Sequence, residues 1–397
     1  MTLPTVAYVS GIRLFVRRPG AEPVEVRSKF AEDVRARATR LQKKHAWKQG
    51  RGSQFQGALL WGMDPDGGDD GSALPAAVVS VGAGRKPGEI LYSLAAGSVT
   101  AVLAADATAD APGDTEQRLF HTSDFDVRWF HRVDTHEWIA STTSGVGVSN
   151  LAVMHEDGSD FTVLTEGDSV DAAPRWILGA HSQLVFQSAG VGRDDQGFPV
   201  GLGPFEIQRL DVPSSEMETV LAREGRDLLE PRLDAKGTLH FVERPWKEPR
   251  AHLAPTSVGR AFLDFLLFPL RLIFALFSYL NFFTARYTGK PLTTAGGPKQ
   301  RAADARQMMI WGNLIDASQA SGREGDDGPS AVPKSWRLIR RVDERDEILA
   351  RGVVTYDLTP DGGLVYSTGR ELVYVAPSGE RTKLAEGEHL TQVVVVP

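Results

Sequence analysis

The chain contains no cysteine, which excludes disulfide staples and thiolate metal sites and leaves the compartment open. It also lacks an excess of positive charge. Its 44 Lys and Arg stand against 51 Asp and Glu, a net charge of −7, so no nucleic-acid partner is expected. No Gly-rich phosphate loop, nucleophile elbow or His-Glu-x-x-His pattern occurs. The 9 histidines are scattered, and none has a second ligand at metal spacing. These absences lead us to expect no catalytic residue and no cofactor. The opening residues, Met1 to Tyr8, show no basic stretch followed by an apolar core. They read as the start of a strand, with a cytoplasmic location as the expectation.

What the chain does have is repetition. The clearest unit runs from Glu137 to Ser188. It holds a strand at Trp138–Ser141, a second at Asn150–Met154, and the turn Glu156-Asp157-Gly158-Ser159. Phe161–Thr165 comes next, then Asp171-Ala172-Ala173-Pro174-Arg175-Trp176 and a new strand at Gln183–Ser188. Short β-rich runs divided by Gly, Asp and Ser turns indicate repeated antiparallel strands. In Asn150–Met154, Asp157-Gly158-Ser159, Val163-Leu164-Thr165 and Pro174-Arg175-Trp176 the unit resembles the TolB-like (PD40 or WD40-like) β-propeller repeat. Thr359-Pro360-Asp361-Gly362 and Asp64-Pro65-Asp66-Gly67 keep versions of that repeat's closing turn. The resemblance implies a protein-interaction module.

With that unit as a ruler, the sequence predicts an all-β, six-bladed β-propeller spanning 1–397. Blade 2 takes strands at Gly57–Met63, Ala77–Val81, Ile90–Leu94 and Val99–Leu103, and blade 3 begins near Phe125. Blade 4 begins near Asp171, blade 5 near Glu230 and blade 6 at Val353. Blade 1 takes Val6–Val9, Ile12–Val16 and Pro23–Val26, and its inner strand is Gln392–Val396 from the far end of the chain. Pairing the two ends removes the exposed sheet edges of an open ring, and four consecutive valines suit a strand buried on both sides.

Two insertions are predicted to be helical: residues 28–56 between blades 1 and 2, and residues 246–335 within blade 5. The first is basic, with Phe30, Val34, Ala38 and Leu41 at helical spacing. Together with 106–117 and 189–204, both are expected on one face. The second contains the one long apolar run, Ala261–Phe283, long enough on hydropathy alone to span a bilayer. A single crossing conflicts with a propeller, whose strands must return to one sheet. Residues 301–316 are too polar for a return crossing, and a helical hairpin of 261–283 against 301–316 is the plain structural alternative. An interfacial helix is the preferred reading. Phe262, Phe265, Leu266, Phe268, Leu272, Ile273, Leu276, Phe277, Leu280 and Phe283 would touch lipid or a partner protein, and Arg286 would meet anionic head groups.

Two further constellations stand out. Arg128, Arg175 and Arg232 recur at one repeat position and could bind an anion or a carboxylate-bearing peptide at the channel mouth. The alternative, which is preferred, is that they pair with acids such as Asp126, Asp171 and Glu230. Asp64, Asp66 and Asp70 could hold Ca2+, although an ordinary acidic turn explains the loop better. The expected function is a non-enzymatic protein-interaction scaffold. It would sit peripherally on an anionic membrane surface, on the inner face of the cytoplasmic membrane. The alternatives are a soluble subunit whose apolar helix a partner buries, and a propeller hydrolase or lyase. An enzyme should show clustered ionisable groups with displaced pKa values at the channel mouth.

Overall fold

The computed structural model describes residues 3–45, 76–96, 99–132, 137–145, 147–177, 179–180, 182–195, 197, 199–246, 307–310, 313–316 and 328–397. The chain forms two compact units. The smaller, 36–73 with 249–307, falls mostly outside the described residues. So do the strand expected at Gly57–Met63, the carboxylates Asp64, Asp66 and Asp70, and the apolar stretch 261–283 with Arg286.

The larger unit is a succession of antiparallel meanders. The first is β1 (Thr5–Ser10), β2 (Arg13–Arg17) and β3 (Val24–Glu25). Helix α1 (Lys29–His45) comes next. The second meander is β4 (Ala76–Ala83), β5 (Glu89–Ala96), β6 (Val99–Asp106) and β7 (Gln117–Thr122). The third is β8 (Arg128–Arg132), β9 (Glu137–Gly145), β10 (Val148–His155) and β11 (Thr162–Val163). The fourth is β12 (Ser169–Trp176) and β13 (Gln183–Arg193), with the short β14 (Pro199–Leu202) beside β13, then β15 (Glu206–Asp211) and β16 (Glu216–Leu221). A parallel bridge between Ser149 and Val170 joins the third and fourth into one nine-stranded sheet.

The fifth meander starts with β17 (Arg226–Leu233) and β18 (Leu239–Pro245). After the hairpin β19 (Gln307–Ile310) and β20 (Asn313–Asp316) it resumes with β21 (Arg337–Val342) and β22 (Arg345–Arg351). The sixth is β23 (Thr355–Leu358), β24 (Leu364–Ser367), β25 (Glu371–Val375) and β26 (Arg381–Glu386). The last strand, β27 (Leu390–Val396), returns to the start and pairs antiparallel with β1, Ala7 opposite Val394.

Strand alternation sends successive side chains to opposite faces, and the core obeys that rule. Ala7, Val9, Val394 and Val396 pack with Val81, Tyr92 and Leu103 of the second meander. Val6, Tyr8, Val393 and Val395 pack the other way, with Val365, Leu372 and Tyr374 of the sixth. Leu91, Phe130 and Trp138 join the second meander to the third, and Ile139, Leu151 and Phe186 the third to the fourth. Ile207, Leu228 and Phe241 join the fourth to the fifth, and Leu229, Val242 and Tyr356 the fifth to the sixth.

Polar bonds link the meanders in the same order. Val81 N donates to Gln392 Oε1 (3.0 Å), Trp129 N to Ser80 Oγ (3.0 Å) and Trp176 N to His131 Nδ1 (3.2 Å). Glu230 N donates to Gln187 Oε1 (2.7 Å), Thr355 Oγ1 to Glu230 Oε2 (2.8 Å) and Val395 N to Asp357 Oδ2 (2.7 Å).

Three sequence expectations need correction. Val99–Leu103 was expected to end its sheet, but among the described residues the sheet runs Ala77–Val81, Ile90–Leu94, Val99–Leu103 and then Gln117–Thr122. Residues 106–117 therefore connect two strands of one sheet. Strand alternation puts that loop at the opposite end from the connections it was grouped with. The helix considered for 301–316 is contradicted by the hairpin at 307–316, where a helix-compatible composition is paired as strands.

Candidate functional site

Strands β8, β12 and β17 carry the same irregularity. Each has one residue too many against its partner strand: Arg128 to His131 faces Ser141 to Ile139, Ala172 to Arg175 faces Gln187 to Val185, and Leu229 to Arg232 faces Val242 to His240. The extra residue bends the strand and re-aims the side chains beyond it. In each bulge one residue has a positive φ: Trp129 (50°), Ala173 (51°) and Glu230 (51°). Such a backbone costs roughly 1–3 kcal/mol outside glycine and persists only where the surroundings hold it. At two of the three, the backbone N–H is gripped by a side chain, Ser80 on Trp129 and Gln187 on Glu230.

The bulge sets the true equivalence. His131, Arg175 and Arg232 share one position, two residues after the positive φ. Arg128 belongs instead with Ala172 and Leu229. The predicted trio Arg128, Arg175 and Arg232 rests on one repeat position, just before Trp129, Trp176 and Leu233, and such a match does not reveal a shifted bulge. Arg128 is 52% exposed and pairs with Asp126 at 2.6 Å, as the pairing alternative expects. Arg232 also pairs, with Asp357, an acid from another meander that the sequence did not suggest. The Arg175 guanidinium makes no ion pair or hydrogen bond among the described residues, and feels Asp357 and Glu230 only at longer range.

Strand β12 lies beside both β8 and β17, which gathers these groups. The Arg232 guanidinium sits 5.0 Å from the Tyr356 ring centre. Tyr356 OH donates to the Glu230 backbone carbonyl at 2.8 Å. Asp357 also accepts from Leu358 N at 2.9 Å. His131 accepts the Trp176 N–H on Nδ1, so its ring proton must be on Nε2 and the ring is neutral. The electrostatics agree. Burial, reinforced by Arg175 and Arg232, holds the His131 pKa well below its ordinary value. Burial and then Arg232 push Arg175 down to about 10. Burial raises Glu230 to about 7, against the pull of Arg232, and lifts Tyr356 well above its usual range.

Among the described residues three buried polar atoms in this cluster lack a hydrogen-bond partner: Glu230 Oε1, Arg232 Nε and Gln187 Nε2. The donors gathered here, the Arg175 and Arg232 guanidiniums and the His131 Nε2–H, suit an oxyanion. The sequence reading missed His131, Asp357, Tyr356 and Gln187. The one usable signal was Pro174-Arg175 and Pro231-Arg232, whose counterpart in the third meander is Phe130-His131.

No family model matches the chain, and no curated protein matches it. Among solved structures it is similar to TolB from Acinetobacter baumannii, at 11% identity and a TM-score of 0.47, covering 97% of this chain and 65% of that one. It is similar to a structure of the nidogen/laminin complex at 7% identity and a TM-score of 0.47, covering 100% and 99%. It is also similar to a puromycin hydrolase at 12% identity and a TM-score of 0.40, covering 78% and 39%. The chain thus spans less than two thirds of the TolB and puromycin hydrolase chains.

Proposed function

We propose that the six meanders are the blades of a closed β-propeller, and that the protein is a non-enzymatic interaction scaffold held peripherally at an anionic membrane surface. Six core clusters and six inner-strand hydrogen bonds, each linking one meander to the next and the last to the first, support the ring. One observation carries the membrane reading. β18 and β21 are antiparallel neighbours, Leu239 opposite Arg341 and Glu243 opposite Arg337. The connection holding Ala261–Phe283 must therefore leave and return at one end of a single sheet. An apolar segment so tethered suits insertion into one leaflet rather than a crossing. No helix among the described residues is long and apolar enough to cross a membrane. The inner face of the cytoplasmic membrane is the location this reading implies.

Flotation with anionic liposomes tests it. The intact chain is expected to float and a version lacking 258–318 to remain in solution. Equal behaviour of the two removes the membrane reading and leaves a partner protein as the cover for the apolar segment.

A hydrolase or lyase is the second reading, favoured by the displaced ionisation of His131, Glu230 and Tyr356. Against it, His131 Nδ1 and the Tyr356 hydroxyl are both engaged with backbone groups. Among the described residues Glu230 Oε1 and the His131 Nε2–H are left for proton chemistry. A binding site returns its ligand unchanged, whereas an enzyme converts it.

A further inference from the structure

We propose that His131, Arg175 and Arg232 form a binding site for a monovalent carboxylate where β8, β12 and β17 bulge. This inference is independent of the membrane reading. Three observations carry it. The bulges bring three donors to one position on adjacent inner strands. Each donor retains unused capacity: Arg175 has no partner among the described residues, Arg232 Nε is buried and unpaired, and His131 is left with Nε2–H to give. Gln187, 0% exposed, also leaves Nε2 unpaired beside Glu230. A half-buried guanidinium without a direct hydrogen-bonded partner is costly, and an oxyanion is the group that satisfies guanidinium and N–H donors together.

Charge selects the class of anion. Arg175 and Arg232 are two cations, and Asp357 neutralises one of them. With Glu230 protonated, one positive charge remains, which a carboxylate balances and a phosphate dianion exceeds. The groups facing Glu230 are Arg232 on its own strand, Arg175 on β12, Gln187 on β13, and Thr355, Tyr356 and Asp357 on β23. Adding an anion there favours the protonated form of Glu230. Binding therefore takes up a proton and tightens as the pH falls from about 8 to about 6.

The experiment titrates the full chain with acetate, a tripeptide bearing a free C-terminal carboxylate, the same peptide amidated, and inorganic phosphate. Saturable binding is expected for a carboxylate, with phosphate weaker and the amidated peptide silent. Binding of acetate without the free-acid peptide supports the site with a small-molecule ligand. Binding of the peptide supports it with a chain terminus as ligand. Arg175→Gln is expected to weaken binding by about tenfold or more while the thermal midpoint does not fall, because among the described residues that side chain makes no hydrogen bond or ion pair to lose. Arg128→Gln, outside the cluster, is expected to bind as the parent does. No saturable carboxylate binding, phosphate binding more tightly than carboxylate, equal binding of the amidated peptide, or an Arg175→Gln variant that binds normally would each overturn the proposal.

Discussion

Glu230 concentrates the energetics of the inner strands in one side chain. It is 3% exposed, its backbone is in the left-handed region, and its carboxyl is raised from an ordinary 4.5 to about 7. A carboxyl whose pKa is raised by folding binds more protons folded than unfolded between those two values. Its contribution to stability is therefore complete below pH 4.5 and is lost as the pH rises through about 7. The shift corresponds to something on the order of 3 kcal/mol. Glu230→Gln should remove this dependence. Chemical denaturation from about pH 5 to about pH 8 is expected to show the variant gaining on the parent by roughly that amount. A constant gap between the two would mean that Glu230 is ionised throughout. None of this was legible in the sequence, where Glu230 looked like a salt-bridge partner for an arginine. Its pKa depends on how many groups are packed around it, and no local pattern encodes that.

Elements were more legible than residues because their signals are local. Helix α1 was foreseen from Phe30 and Val34 at helical spacing, and both pack on the first core cluster. Its start is held in two ways. Ser28 Oγ accepts from Ala31 N at 3.1 Å, and Glu116 Oε1 accepts from Phe30 N at 2.9 Å. Ser28→Ala is expected to cost about 1 kcal/mol, read as roughly fivefold faster amide exchange in the first turn of α1. Unaltered exchange there would assign the cap to Glu116 alone. The Asp-Gly turns were equally readable. Asp157 accepts from Ser159 N at 2.9 Å with Gly158 at φ +79°, and Thr359-Pro360-Asp361-Gly362 closes on Gly363 in the same manner. The error in the second meander had a physical cause. A strand's composition shows that it is a strand but not its rank within the sheet, and Gln117–Thr122 is exposed and polar enough to pass for a loop.

At the scale of the whole molecule, the last strand decides the architecture. Val393 and Val395 are buried against the sixth meander, Val394 and Val396 against the second. At roughly 1.5–3 kcal/mol for each buried valine, the four together rival the whole stability of an ordinary domain. Deleting residues 390–397 is therefore expected to abolish the cooperative thermal transition and to expose dye-binding apolar surface. A truncated chain that melts like the parent would show that the fold does not depend on its last strand. The sequence by itself determined the all-β class, the recurring turns and the meeting of the two chain ends. Periodicity, turn chemistry and the need to cover open edges act locally or through one simple constraint. Only the tertiary structure decided which residues share the inner strands, because a single-residue bulge exchanges Arg128 for His131 without any change in composition. It alone also left the Arg175 guanidinium without a direct ion pair among the described residues, since pairing and burial depend on strands far apart in the chain.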